Sequence, residues 1–194
     1  MATMNADQVT VGSAAATGAI FVAPTTTALP TDAVSALSGF TLLGFTSDAG
    51  VQITESGNTQ SIYAWEGRTE VYNTRTEYTE QISFTPIQCN QDVMELIWGS
   101  DMVSVDGDGN LIAKHHGKTM EPVHIVIETV PRTGIVKRFC QKAQLSERGE
   151  VTMDGTQIDG RQLTFNNLAD EYGVTCYEYT AFTTGATGAT GETS

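Results

Sequence analysis

The sequence predicts a mainly β protein, a sandwich or barrel of about ten strands flanked by one short α-helix running from about Asn90 to Trp98. Three observations carry this prediction. Runs of alternating apolar and polar residues recur along the chain, and turn signals rich in Gly, Asp and Asn separate them at short intervals. Only one stretch, TPIQCNQDVMELIWG, places apolar residues at helical spacing.

Taken in order, residues 1–35 are rich in Ala, Thr, Gly and Pro, with GAIFVAP and ALPTD as the firmly patterned pieces, and read as an extended N-terminal arm without a core of its own. The β domain is expected over residues 36–183. It opens with GFTLLGFT and AGVQITES, turns at Ser56 to Asn58, and continues through SIYAWEG. In TEVYNTRTEYTEQISFTPI, Tyr78, Ile82 and Phe84 share one face with Glu80 as the polar intruder, the period-two pattern of a half-buried strand. Asn90 then offers a capping oxygen, Asp92 suits the positive end of a helix dipole, Val93, Leu96 and Ile97 repeat at i, i+3 and i+4, and Gly99 supplies the stop. A helix this short is unstable alone, so it must lay Val93, Leu96, Ile97 and Trp98 on a sheet. MVSVDGDGNLIAKHH reads as a hairpin, EPVHIVIETV and GIVKRFCQKAQL as a second pair, and GEVTMDG, RQLTFNNL and VTCYEYTAFT as further strands. The Gly/Thr segment 184–194 reads as a flexible tail, since its few Gly triplets without proline cannot build a triple helix.

Composition narrows the function. Charged residues are only 17% of the 194, against about 25% in an average soluble domain, so much of the surface is neutral and suits a subunit covered by copies of itself. The net charge of −13 and the absence of any Lys or Arg before Arg68 argue against specific nucleic-acid binding, which neutralises phosphates with basic side chains. Cys89, Cys140 and Cys176 lie far apart without metal-ligand spacing and fit a reduced compartment. The N-terminus lacks the basic and apolar regions of a signal peptide, and no apolar run is long enough to span a membrane.

No motif bids for catalysis. DGDGN opens like a calcium loop, but Leu111 and Gly117 stand where that loop needs Gly and a bidentate Glu, so a hairpin turn is expected. His115 and His116 are adjacent, point to opposite faces of a strand and read, with His124, as surface histidines. Glu77 and Glu80 fall on an expected edge strand, where acids discourage unwanted pairing. No metal or other cofactor is expected.

In this order and spacing, GAIFVAP, LPTDA, LGFTSDAGV, IYAWEG and ISFTPIQCNQDVMELIWG resemble the major tail tube proteins of long-tailed, siphovirus-type bacteriophages, especially those of actinobacteria, over most of the chain. The resemblance implies a β-sandwich or barrel with one flanking helix, hexameric rings stacked into a tube, and location in the virion tail after assembly in the host cytoplasm. It implies as partners the chain itself, a tape measure protein and other tail proteins, with double-stranded DNA sliding through the lumen unbound. Inter-ring contacts are expected from Thr54, Glu55, Ser56, Gly57, Asn58, Arg68 and Arg75, and Glu77 and Glu80 are the candidates to face the lumen. Two other structural readings are a secretion-system tube and a tail terminator. A different class, a β-sandwich binding module or adhesin, calls for an exposed aromatic platform, whereas Trp65 and Trp98 sit in patterned apolar runs and are expected to be buried.

Overall fold

The computed structural model describes residues 12–14, 18–132, 135–151, 153, 155–156 and 158–182. The first residues of the expected arm and the expected tail at 184–194 lie outside them. Among the described residues the chain forms β1 (Ile20–Pro24), β2 (Thr41–Leu42), β3 (Thr46–Ser56), β4 (Thr59–Tyr63), β5 (Glu70–Arg75), β6 (Thr79–Pro86), α1 (Gln91–Trp98), β7 (Val103–Val105), β8 (Leu111–Ala113), β9 (Val123–Arg132), β10 (Ile135–Arg148), β11 (Leu163–Asn167) and β12 (Tyr177–Phe182). The fold is mainly β with one helix, and its sheets do not close.

One antiparallel sheet dominates, in the order β2-β1-β9-β10-β11-β6-β3. Its axis is β10, 14 residues long. β9 lies along one side of β10; on the other, β12 pairs with its first half and β11 with its second. Alternation along these strands sends Ile20, Val22, Ile125, Ile127, Leu163, Phe165, Ile82 and Phe84 to one face, where they form the core. Phe84 and Phe165 stack at its centre with ring centroids 5.5 Å apart.

α1 covers this face. Asn90 caps it with a side-chain oxygen that accepts from the Val93 N–H at 2.8 Å, and its amide donates to Leu43 O at 3.2 Å, tying cap to core. Val93, Ile97 and Trp98 are buried and Leu96 packs partly buried against them. Gly99, at φ 89, ends the helix in a backbone region that other residues rarely adopt. With no basic residue in the last turn, the free carbonyls are met from elsewhere in the fold: Arg148 Nε donates to Ile97 O at 2.9 Å, and His116 Nε2 lies 2.5 Å from Trp98 O. His116 Nδ1 accepts the Lys118 N–H at 3.0 Å, which places the ring proton on Nε2.

The opposite face of β9 and β10 is covered by the segment between β1 and β2. Cross-strand partners Glu128 and Arg138 form an ion pair there at 2.6 Å, and Arg138 Nη1 donates to Asp32 O and Ser35 O, both at 3.0 Å. Asp32 in turn accepts the Val34 and Ser35 N–H groups, and those bonds hold its carboxyl below the ordinary range. Two covered faces explain the unbroken apolar run of IVI in β9, with Val126 buried on this side and Ile125 and Ile127 on the other.

Several expectations need correction. GAIFVAP, placed in the arm, supplies β1, an internal strand whose Ile20 and Val22 belong to the core. GFTLLGFT is split between the two-residue β2 and the first residue of β3, Thr46, with Gly44 at φ 97 between them. No described residue of GEVTMDG is in a strand. β6 is flanked by β11 and β3, so Glu77 and Glu80 do not mark an edge. DGDGN, by contrast, is the expected hairpin turn, joining β7 to β8: Asp106 accepts from Asp108 N, Asn110 N and Asn110 Nδ2, and these bonds lower its pKa. His115 is exposed, as expected, and stacks on Trp98 with centroids 3.9 Å apart, whereas His116 and His124 are partly buried, His116 capping α1 and His124 with Nδ1 2.8 Å from Thr27 O.

Candidate assembly interface

The feature that stands apart from the core is an arm. β3 and β6 pair as far as Ser56 and Thr79, the ladder lapses, and the chain resumes pairing as the separate ribbon β4–β5, from Thr59 opposite Arg75 to Tyr63 opposite Glu70. The joint is built from short-range chemistry. Thr76 N–H and hydroxyl donate to Asn58 O at 2.9 and 3.2 Å, Asn58 Nδ2 donates to Glu77 at 2.7 Å, and the Arg75 guanidinium lies 4.5 Å from the centre of the Tyr78 ring. Gly57 is required by space: a Cβ there would stand 2.6 Å from Glu77 O. At the tip, Ala64 N–H donates to Thr69 O at 2.8 Å across Gly67 and Arg68, both at positive φ. Within the ribbon, Ser61 donates to Glu70 and Asn73 donates to both.

The arm exposes what the core would bury. Trp65 is 95% exposed, and Ile62, Tyr63, Val71 and Tyr72 are each at least half exposed. The expectation that Trp65 is buried is therefore overturned; Trp98, at 7%, is buried. The physical reason is topological. Apolar alternation specifies a side chain that seeks cover, yet a two-stranded ribbon standing off the sheet has no second layer of its own chain to supply it. The missed signal was IYAWEGR beside EVYN, an apolar hairpin closed by a Gly turn.

The structure gathers Thr54, Glu55, Ser56, Gly57, Asn58, Arg68 and Arg75 onto the arm and its root. It separates the two acids. Glu77 is exposed at the joint, whereas Glu80 is 5% exposed and accepts from the Thr175 hydroxyl inside the subunit, with Tyr78 OH 3.5 Å away. Only Glu77 of the pair is open to solvent.

Strand margins are the second part of the surface. Among the described residues β3 pairs only with β6 and β12 only with β10, so each keeps one side of unmatched N–H and C=O groups. Reactive groups are few: all three cysteines are free, and burial pushes the Cys140 and Cys176 thiols up to about 12, far from thiolate chemistry.

An open sheet with bare margins at β3 and β12, besides the two-residue β2 at its far end, and a braced arm bearing uncovered aromatic residues defines a structural subunit made for contact with other chains. In agreement, the model of the phage tail tube protein family matches residues 2–184, and the chain belongs to that family. It is thus a structural, non-enzymatic component of the virion tail, where it assembles with copies of itself and with other tail proteins. No curated protein matches the chain.

Proposed function

We propose that this subunit closes into hexameric rings that stack into the tube of a long-tailed, siphovirus-type phage of actinobacteria, through which double-stranded DNA leaves the capsid. Subunits assemble in the host cytoplasm around a tape measure protein. The observation that carries the reading is the pair of unmatched margins, β3 and β12, on one subunit. Two different margins meeting head to tail generate a ring when the rotation closes. The arm, rooted at Thr54, Glu55 and Ser56 and tipped by Trp65 and Arg68, reaches the next ring. Negative-stain electron microscopy of the concentrated, purified chain is expected to show straight hollow tubes; particles that stay monomeric at every concentration refute the reading. That outcome would favour a binding module instead, since exposed Trp65, Tyr63 and Tyr72 also suit stacking against sugar rings.

The charge serves the passage of DNA. A subunit of net charge −13 lines a bore that repels phosphate over about 8 Å at physiological ionic strength, so the duplex slides without sticking. Glu77, exposed beside the arm's joint, is the acid assigned to the lining in this reading. Replacing it by lysine, Glu77→Lys, is expected to slow DNA ejection from assembled virions, most strongly at low salt. An unchanged ejection rate would remove Glu77 from the bore.

A further inference from the structure

An apolar groove of about 550 Å³ opens between the first residues of β3 and the second half of β9, lined by Leu42, Phe45, Val51 and Ile127, with Gly12 and Gly50 in its walls. Val51 and Ile127 border the core there, and no charged residue lines the groove. Its lip is fixed in place. Phe45 N–H donates to Gln88 Oε1 at 3.2 Å and Phe45 O accepts the Ile87 N–H at 3.0 Å, while the Phe45 ring stands 72% exposed. A preformed, uncharged concavity of this size suits a bulky aromatic side chain that has yet to leave water.

The arm carries such a side chain and does not place it in its own groove: Trp65 is 95% exposed in the single chain. The two features lie toward opposite ends of one strand. The groove takes Thr46 and Val51 from the start of β3, whereas the arm departs beyond Ser56, a further five residues or ~17 Å along the strand. A unit with a plug toward one end and a socket toward the other repeats head to tail, as stacked rings require. Charge agrees with this pairing. Asp48, exposed at the register shift between Thr46 and Val51, is the one charge on that stretch of the groove's rim, and Arg68 at the arm tip makes no ion pair among the described residues. We propose that the groove receives the arm tip of a second copy in the next ring, with Trp65 seated against Phe45 and Val51 and Arg68 beside Asp48. This rests on the tube reading and supplies the socket for the arm. The contact uses side chains and leaves the backbone margin of β3 to the ring seam.

Filling the groove tests the docking. A Cβ on Gly12 meets nothing within 4 Å, so Gly12→Leu is accommodated by the monomer and stands in the groove that Gly12 lines. It is expected to melt as the wild type does and to raise the concentration needed for tubes by at least about tenfold. Phe45→Ala, on an exposed ring, removes the lip without filling anything and is expected to act in the same direction. Because Gly12→Leu acts through Trp65, combining it with Trp65→Ala is expected to cost no more than Trp65→Ala alone, about thirtyfold, in place of the ~300-fold product of independent sites. Emission gives a second readout: Trp98 is buried in the monomer, so a blue shift on wild-type assembly reports the burial of Trp65. Losses that multiply, an unshifted emission in wild-type tubes, or unchanged assembly of both Gly12→Leu and Phe45→Ala each overturn the docking while leaving the tube intact. A wild type that forms no tubes at all fails the tube reading itself, and the docking with it.

Discussion

A subunit carrying Trp65→Ala is expected to fold and melt like the wild type yet to assemble into tubes only at about thirtyfold higher concentration. The two halves of that expectation come from the same number, the 95% exposure of the indole in the single chain. An exposed side chain contributes little to monomer stability, and its replacement falls within about ±0.5 kcal/mol. At an interface the balance inverts. A tryptophan that becomes fully desolvated is the residue type most enriched among contacts worth about 2 kcal/mol or more, which is roughly thirtyfold in an equilibrium constant. The arm is prepared for this role because its cost of ordering is met before contact: the Gly57 joint, the Ser61–Glu70–Asn73 bonds and the Gly67–Arg68 tip already fix its shape. Deleting residues 56–60, which removes the joint and the start of β4, should leave a soluble subunit and abolish tubes altogether. Sedimentation against concentration measures both variants. Wild-type assembly by Trp65→Ala would take the arm out of the interface, and normal-length tails from the deletion would do the same for the whole hairpin.

Arg138→Ala is expected to cost about 3 kcal/mol of folding stability, read as a lower urea midpoint with an unchanged slope. Arg138 is 3% exposed and answers three groups at once, the Glu128 carboxylate and the carbonyls of Asp32 and Ser35. Removing it strands a carboxylate on the covered face and leaves the segment between β1 and β2 without its clasp. Breaking a buried pair from one side costs about 3–5 kcal/mol, and the low end applies because the Glu128 side chain keeps 21% exposure. Arg138→Lys should recover only part of the loss, since an ammonium cannot match the fork of bonds. A midpoint near the wild-type value for Arg138→Ala would mean that the clasp is held by apolar contacts at Ala33 and Val126 instead.

The helix was fully legible because everything that defines it lies within ten residues: the Asn90 cap, the Asp92 charge, the Val93–Leu96–Ile97 stripe and the Gly99 stop. So were the hairpins, whose turn chemistry at Asp106 and Asn110 is as local as their strands. Pairing across the sheet was less accessible. β6 looked like an edge because its outer face is polar, yet those polar side chains meet a neighbouring strand, as Gln81 does in donating to Asn166, 85 residues away. Glu80 read as a solvent or lumen group until Thr175, from a distant loop, supplied its partner. GAIFVAP carried a strand pattern but no sign that β9 would take it into the sheet, residue for residue from Ile20 opposite Ile127 to Pro24 opposite Val123.

By itself, then, the chain's order of residues determined most of the segments that extend, the single segment that coils, and the acidic, sparsely charged character of the surface. Those properties follow from side-chain periodicity and hydrogen bonds between near neighbours, which do not depend on where the rest of the molecule goes. Tertiary structure alone decided which strands sit inside and which are left bare, and that Trp65 stands outward while Trp98 is enclosed by arginines and histidines. Both indoles carry the same pressure to leave water. Only the distribution of distant segments around them settles whether the cover comes from the same chain or must come from another.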